Sequence, residues 1–238
     1  DGLAGVGARS LRVANEIKDV EKVVINDVNS DALDVAQRSA RLNNISNFEI
    51  SENETCRFFS LFSQKDNRGS VVDIDPFGSP TKYFDCSIRA TMHGGLLSVT
   101  ATDMQVLHGL AKNACKRKYY GVPIKTEYSN EIAIRLILGC LYAVSGRLGI
   151  QIIPQFVQTH MHYYRIFVKV LTKKDQNQNL GYISHCFECG NRMVEKKSSN
   201  CCDNCNGELN SAGPLWIGHL FDKKFVNSML NEIPKFIV

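Results

Sequence analysis

The chain has 238 residues, 44% hydrophobic and 22% charged, with a formal charge of +4. That balance suits one full domain plus a smaller second one, excludes a disordered polymer, and permits a nucleic-acid partner without demanding it. No apolar run approaches the roughly 20 residues that cross a bilayer, and the first residues lack the basic-then-apolar order of a leader, so a soluble, intracellular protein is expected.

In chain order, the pattern predicts helices around 8–18, 30–43, 55–63, 81–91 and 104–118, alternating with strands at 23–27, 48–51, 71–75 and 96–101. Such β-α alternation is the signature of a doubly wound α/β sheet. Ser30 and Asp31 cap and charge the start of one helix. A longer helix over 129–147 carries Ile132, Ala133, Leu136, Ile137, Cys140, Leu141 and Val144 on one broad apolar face, with Glu131 and Arg135 spaced to pair along it. Two β-rich runs follow, 150–158 and 163–171, too close together for a crossover helix and so antiparallel. Pro154 marks the first of them as an edge strand or a bulged one. The polar stretch from Asp175 to Gly181 is the best linker. The expected division is therefore a first domain at 1–174 and a cysteine-rich unit at 180–238.

Three groups of residues carry chemistry. The opening Asp1-Gly2-Leu3-Ala4-Gly5-Val6-Gly7-Ala8-Arg9 places an acid and two tight-turn glycines ahead of a helix, so backbone can approach a ligand and helix N–H groups can face it. Asp27, twenty residues past Gly7 at a strand end, can accept hydrogen bonds from both ribose hydroxyls of a nucleoside cofactor. On these residues alone, NAD and S-adenosylmethionine fit about equally. The second group, Asp73-Ile74-Asp75-Pro76-Phe77-Gly78-Ser79-Pro80, ends a strand with an acid, a rigid bend and an aromatic ring. A carboxylate accepts from an exocyclic amine, the carbonyl before a proline is free to accept another hydrogen bond, and a phenyl ring stacks on a base. The same tetrapeptide is also ordinary turn chemistry.

Cysteine usage is split. Of nine cysteines, Cys56, Cys86, Cys115 and Cys140 fall singly in apolar or helical patterns and are expected to be small buried hydrophobes, while five crowd between Cys186 and Cys205. Cys186-x-x-Cys189 and Cys202-x-x-Cys205, twelve residues apart, have the spacing of a four-cysteine structural zinc site in a reducing compartment, and reactive dithiols are the competing reading. Cys201 in place of Cys202 is left open by the spacing.

The Asp75-Pro76-Phe77-Gly78 run resembles the signature of the tRNA (guanine-N(2))-dimethyltransferase family, and the likeness covers nearly the whole chain. Thr100-Ala101-Thr102-Asp103, the Glu131–Arg135 helix, the stretch from His160 to Arg165, and Gly213-Pro214-Leu215-Trp216-x-Gly218 match family stretches in family order. The resemblance implies a class I methyltransferase sheet closing in an antiparallel strand pair, followed by a small zinc-binding unit that helps hold tRNA. It implies S-adenosylmethionine bound by Asp1, Gly5, Gly7, Arg9, Asp27 and, at the third strand end, Glu54, with Arg9 on the cofactor carboxylate. It implies catalysis by Asp75, Pro76 and Phe77 on the 2-amino group of guanosine 26, in the nucleus or cytoplasm. Because Asp1 opens on the turn with no apolar strand before it, and family members continue past the equivalent of Val238, a chain truncated at both ends is expected. The competing readings are a non-catalytic RNA-binding module with a degenerate methyltransferase fold and an amino-methyltransferase of another base. No membrane association and no obligate protein partner are indicated.

Overall fold

The computed structural model describes residues 1–173 and 178–233. The centre of the expected linker and the last five residues fall outside them. The order of elements is α1 (Ala8–Glu16), β1 (Val23–Asn26), α2 (Ser30–Leu42), β2 (Phe48–Ser51), α3 (Thr55–Ser60), β3 (Gly69–Ile74), α4 (Phe84–Ala90), β4 (Thr91–Ala101), α5 (Met104–Leu107), α6 (Lys112–Tyr119), α7 (Ser129–Arg147), β5 (Gln151–His160), β6 (Tyr163–Leu171), β7 (Leu180–Cys186), β8 (Arg192–Glu195), β9 (Leu209–Trp216) and α8 (Lys223–Glu232).

These strands form three sheets. β1 and β2 pair in parallel, β3-β4-β6-β5 forms a mixed sheet, and β8-β7-β9 an antiparallel one. β3 is parallel to β4, while β6 runs antiparallel to both β4 and β5, so the expected closing antiparallel pair is present. β5 is the sheet edge, and its register shifts between Pro154 and Phe156, so the proline marks both an edge and a bulge. β1 and β3 face one another without a strand ladder between them. Residues 1–4 bridge their upper ends, with Ala4 N donating to Asn26 O (2.9 Å) and Gly2 N to Asp73 O (3.0 Å). Below that bridge an open cavity of about 370 Å³ separates the edges, walled by Val23, Val24, Phe59 and Val71.

α7 is the central post of the molecule. Ile132, Leu136, Ile137, Leu138 and Leu141 are fully buried, each contributing about 1.5–3 kcal/mol relative to an exposed side chain. One flank packs under the mixed sheet and the other against β9, where Gly139 allows close approach: a Cβ there would sit 2.9 Å from Leu215 Cα. The Glu131–Arg135 pair forms as expected (2.8 Å), and Arg135 Nη1 also donates to the carbonyls of Trp216 and Gly218, both at 3.0 Å. The cysteine-rich sheet is thereby fastened to the helix that underlies the mixed sheet. The main core contains side chains from both.

Several expectations need correction. The helix expected over 104–118 is two helices, because Gly109 takes φ +87° between them. The helix expected from 81 begins as a 3-10 turn at Thr81–Tyr83. The fourth strand starts earlier than expected, at Thr91, and runs through Gly94 and Gly95. Cys56 and Cys86 are not separate hydrophobes: they form a disulfide joining α3 to α4. Cys115 and Cys140 are free and buried, as expected.

Candidate active site and metal centre

The strand ends nearest α1 and the turn after β3 carry the first group. Gly5 (φ +53°) and Gly7 (φ +68°) both take the left-handed conformation that side chains disfavour. Gly7 is the N-cap of α1 and supplies no side-chain cap, so the first N–H groups of that helix are open to a ligand. Gly5 N donates to Asp27 Oδ2 (2.7 Å), and Asn29 N donates to Asp27 Oδ1 (3.0 Å). The turn and the acid after β1 are thus one unit. Asp1 holds the turn from inside, accepting from Leu3 N (3.2 Å) and from Ser10 Oγ (2.8 Å). Asn26, fully buried, clamps the base of the unit by donating to the carbonyls of Gly2 (3.1 Å) and Asn53 (3.0 Å). Sequence reading passed over Asn26, although a buried amide ending an apolar strand was a usable signal.

Glu54 follows β2, as expected, and its carboxylate caps α3 by accepting from Arg57 N (3.0 Å). Arg9 was expected to meet the carboxylate of a cofactor. Here it forms ion pairs with Asp73 and Asp75. Partial burial works against its charge, but the two aspartates outweigh that and hold the Arg9 guanidinium above its ordinary pKa.

The turn after β3 is held from β4. Gly78 N donates to Thr102 Oγ1 (2.7 Å), and Thr102 N returns a bond to Gly78 O (3.0 Å). Pro76 is buried beneath this turn, and the Phe77 ring projects from it wholly into solvent. Asp103, at the end of β4, accepts from Tyr119 Oη (2.6 Å) and Lys118 Nζ (3.2 Å). Burial, then the charge of Asp103, pushes the Tyr119 phenol far up, so it stays a neutral donor.

Two further side chains complete the cluster. Asp73 lies on the same side of β3 as Asp75 and shares both its arginines: Arg9 and Arg165. Arg165 matched a family stretch, but its partners lie two strands away and could not be read from β6. The cavity between β1 and β3 is lined by Lys22, Val23, Gly69 and Ser70 at the starts of those strands and by Asp1, Arg9, Asp73 and Arg165 at the other end. Ligands of open α/β sheets sit outside the carboxyl ends, so the cleft framed by Gly5, Asp27 and Asp75 is the stronger candidate.

The second site lies in the antiparallel sheet. Cys186, Cys189, Cys202 and Cys205 bring their four sulfurs within 4.8 Å of one another, with Cys186–Cys205 at 3.5 Å and Cys189–Cys202 at 3.7 Å. Tetrahedral thiolates at the usual zinc–sulfur length of about 2.3 Å lie about 3.8 Å apart, so the set fits that ion. Cys201 is turned away, its sulfur on Asn206 O (3.5 Å). The spacing left Cys201 and Cys202 as alternatives, and the geometry selects Cys202. His185 is buried beside the cluster, its ring against Tyr128 and Phe187.

A parallel sheet closed by an antiparallel strand pair, with a glycine turn and acids at its strand ends, defines a mixed α/β methyltransferase fold. The sequence model for N2,N2-dimethylguanosine tRNA methyltransferases matches residues 1–236. The chain belongs to that family. It is 36% identical over 246 residues to tRNA (guanine(26)-N(2))-dimethyltransferase of Methanosphaera stadtmanae, covering 98% of this chain and 61% of that protein. It is 34% identical over 244 residues to tRNA (guanine(26)-N(2)/guanine(27)-N(2))-dimethyltransferase of Aquifex aeolicus, covering 99% and 62%. Among solved structures, Trm1 from Pyrococcus horikoshii in complex with S-adenosyl-L-methionine has a TM-score of 0.85 at 28% identity, covering 98% of this chain and 66% of that one. The chain spans about three fifths of the length of these curated relatives. Among the described residues no helix is long and apolar enough to cross a membrane.

Proposed function

We propose that this chain carries the methyl-transfer machinery of a tRNA (guanine(26)-N(2))-dimethyltransferase, using S-adenosylmethionine to convert the 2-amino group of guanosine 26 to N2,N2-dimethylguanosine. The observation that carries this reading is the reach of Arg9. That residue, two past Gly7, bonds Asp75, so the glycine turn and the acid-proline-aromatic turn face one cleft.

S-adenosylmethionine supplies an electrophilic methyl group on a sulfonium. The uncapped start of α1, the Gly5–Gly7 turn and Asp27 suit its nucleoside and amino-acid parts, with Asp1 holding the turn and Glu54 at the adjoining strand end. An aromatic amine is a poor nucleophile because its lone pair is delocalised into the ring. Asp75 accepts one N–H and the carbonyl preceding Pro76 accepts the other, which favours a pyramidal nitrogen with its lone pair aimed at the methyl. Phe77 stacks on the base after it leaves its helix. Most of the acceleration then comes from alignment, worth up to about 7–11 kcal/mol. Each transfer leaves the sulfur as a neutral thioether and gives up one N–H proton, so the second round, which gives the dimethyl product, starts from a nitrogen with a single N–H for these acceptors.

In this reading residues 1–174 form the catalytic domain and 180–238 a tRNA-contacting unit held by a structural zinc on Cys186, Cys189, Cys202 and Cys205. Its setting is the cytoplasm or nucleus, where tRNA is present.

The test is to incubate the protein with labelled S-adenosylmethionine and unmodified tRNA and to digest the RNA to nucleosides. Labelled N2,N2-dimethylguanosine is expected, and Asp75→Ala should abolish it while tRNA still shifts in a gel. Label on a different base would refute the substrate assignment. RNA binding with neither cofactor binding nor label would make the chain a binding module.

A further inference from the structure

Asp73 and Asp75 lie two residues apart on one side of β3, so two carboxylates crowd the site. Their side chains are 11% and 27% exposed. Like charges this close and this little hydrated repel unless cations lie between them. Arg9 and Arg165 both do, in different ways. Arg9 stands on the first turn of α1 with 47% of its side chain exposed. Arg165, only 13% exposed, starts two strands away on β6 and passes beneath the site.

Every nitrogen of the Arg165 guanidinium is engaged. Nε donates to Ser98 Oγ (3.1 Å), Nη2 to Asp73 Oδ1 (2.5 Å), and Nη1 to Asp75 Oδ2 (3.4 Å). Its Cζ lies 5.6 Å from the centre of the Phe167 ring. Ser98 sits opposite Asp73 on one side and Phe167 on the other, so the strand register itself builds this cradle. A planar fork with three partners and a ring beside it has one orientation, which a lysine could not reproduce. Both arginines bond the same oxygen of Asp75, Oδ2. Oδ1 is then the oxygen available to an incoming amine.

We propose that Arg165 is a positioning residue for methyl transfer: from the sheet floor it supplies the fixed countercharge for Asp73 and Asp75 and turns Asp75 so that Oδ1 meets the target nitrogen. Arg9, being half exposed, is the countercharge that can move when ligands arrive. This role rests on the function proposed above.

The experiment measures kcat, KM for tRNA and Kd for S-adenosylmethionine in wild type, Arg165→Met, Arg165→Lys, Asp73→Asn and the Asp73→Asn/Arg165→Met pair, using the full chain. Loss of aim by about an ångström costs on the order of 100-fold, so Arg165→Met should lose about that much kcat with cofactor Kd nearly unchanged. Arg165→Lys keeps the charge without the fork and should recover part of the loss. Removing the charge that Arg165 offsets should make the double variant faster than the product of the two single effects predicts. A purely structural role would couple the pair in melting temperature and weaken cofactor binding along with kcat, instead of lowering kcat alone. Arg165→Met with kcat near wild type, or a double variant slowed by the simple product, overturns the proposal. If Arg165→Met fails to melt cooperatively, Arg165→Lys decides, and wild-type kcat in it is equally fatal. A wild-type chain that transfers no methyl overturns the function and this role together, whereas an active wild type beside an unimpaired Arg165→Met overturns the role alone.

Discussion

Phe77 offers a sharp separation of stability from function. Its ring is fully exposed, at 104% of the reference area, so Phe77→Ala removes no buried surface and leaves no cavity. Substitutions of that kind shift stability by no more than about 0.5 kcal/mol. The turn beneath keeps its hold, because Gly78 and Thr102 bond each other through groups that the substitution does not touch. Stacking of a base on an aromatic ring is worth about 1–3 kcal/mol by alanine substitution. At 1.36 kcal/mol per tenfold, kcat/KM for tRNA should fall between about 5-fold and 160-fold. On the proposed reading the ring meets the target base and not the cofactor, so S-adenosylmethionine affinity should be unchanged. The assay pairs methyl incorporation into unmodified tRNA with thermal melting and cofactor titration on the same preparation. Unchanged kcat/KM in a variant that melts normally would show that the ring does not hold the base. A weakened cofactor affinity would place the ring on the wrong side of the cleft.

Metal analysis should find one zinc per chain; Cys202→Ser should lose it and lower the melting temperature, while Cys201→Ser should keep it, because the Cys201 sulfur faces Asn206 O instead. Zinc retained in Cys202→Ser would refute that ligand set. Burial pushes the Cys115 and Cys140 thiols up from 9.0 to about 12. An unfolded chain therefore releases these protons where the folded chain keeps them, so their stabilising effect is intact below pH 9 and lost as pH rises toward about 12. Urea midpoints across that window should fall less steeply in a Cys115→Ala/Cys140→Ala variant than in wild type, and equal slopes would refute the assignment. Gly139→Ala places a Cβ 2.9 Å from Leu215 Cα and 3.0 Å from Trp216 N. Overpacking against backbone should cost about 1–3 kcal/mol by denaturant titration, and an unchanged midpoint would mean α7 and β9 are less closely packed than described.

Much of the architecture was legible because hydrophobic period and turn chemistry act locally. The 3.6-residue stripe of α7 and the polar break between β5 and β6 needed no knowledge of distant contacts. Boundaries were harder where glycine intervened, at Gly94–Gly95 inside β4 and at Gly109 between α5 and α6. What escaped was the long-range pairing. Cys56 and Cys86 are 30 residues apart in sequence, and nothing near either one announces the other. Arg165 was legible as the end of a family stretch, yet its partners depend on a register spanning three strands. Arg9 shows the same limit from the other direction: its position at the turn was readable, but its pairing with Asp73 and Asp75 was not. The four-cysteine cluster was legible but for one ligand because metal-ligand spacing is itself a local property. Only the choice between Cys201 and Cys202 waited for coordinates.

The presence of two hydrophobic cores has a thermodynamic consequence. β1, β2 and their helices enclose a small core of their own, built on Leu11, Ile25, Leu33, Ala36 and Ala40, distinct from the large core around α7. A body with a core of its own, joined to its neighbour by a short backbone bridge and the Arg9 ion pairs to Asp73 and Asp75, can open at lower free energy than the whole. Asp27 belongs to this lesser body and Asp75 to the greater. A molecule that grips both therefore acts as a bolt between the two cores, and its binding energy adds to the coupling that the backbone bridge and the Arg9 ion pairs already provide.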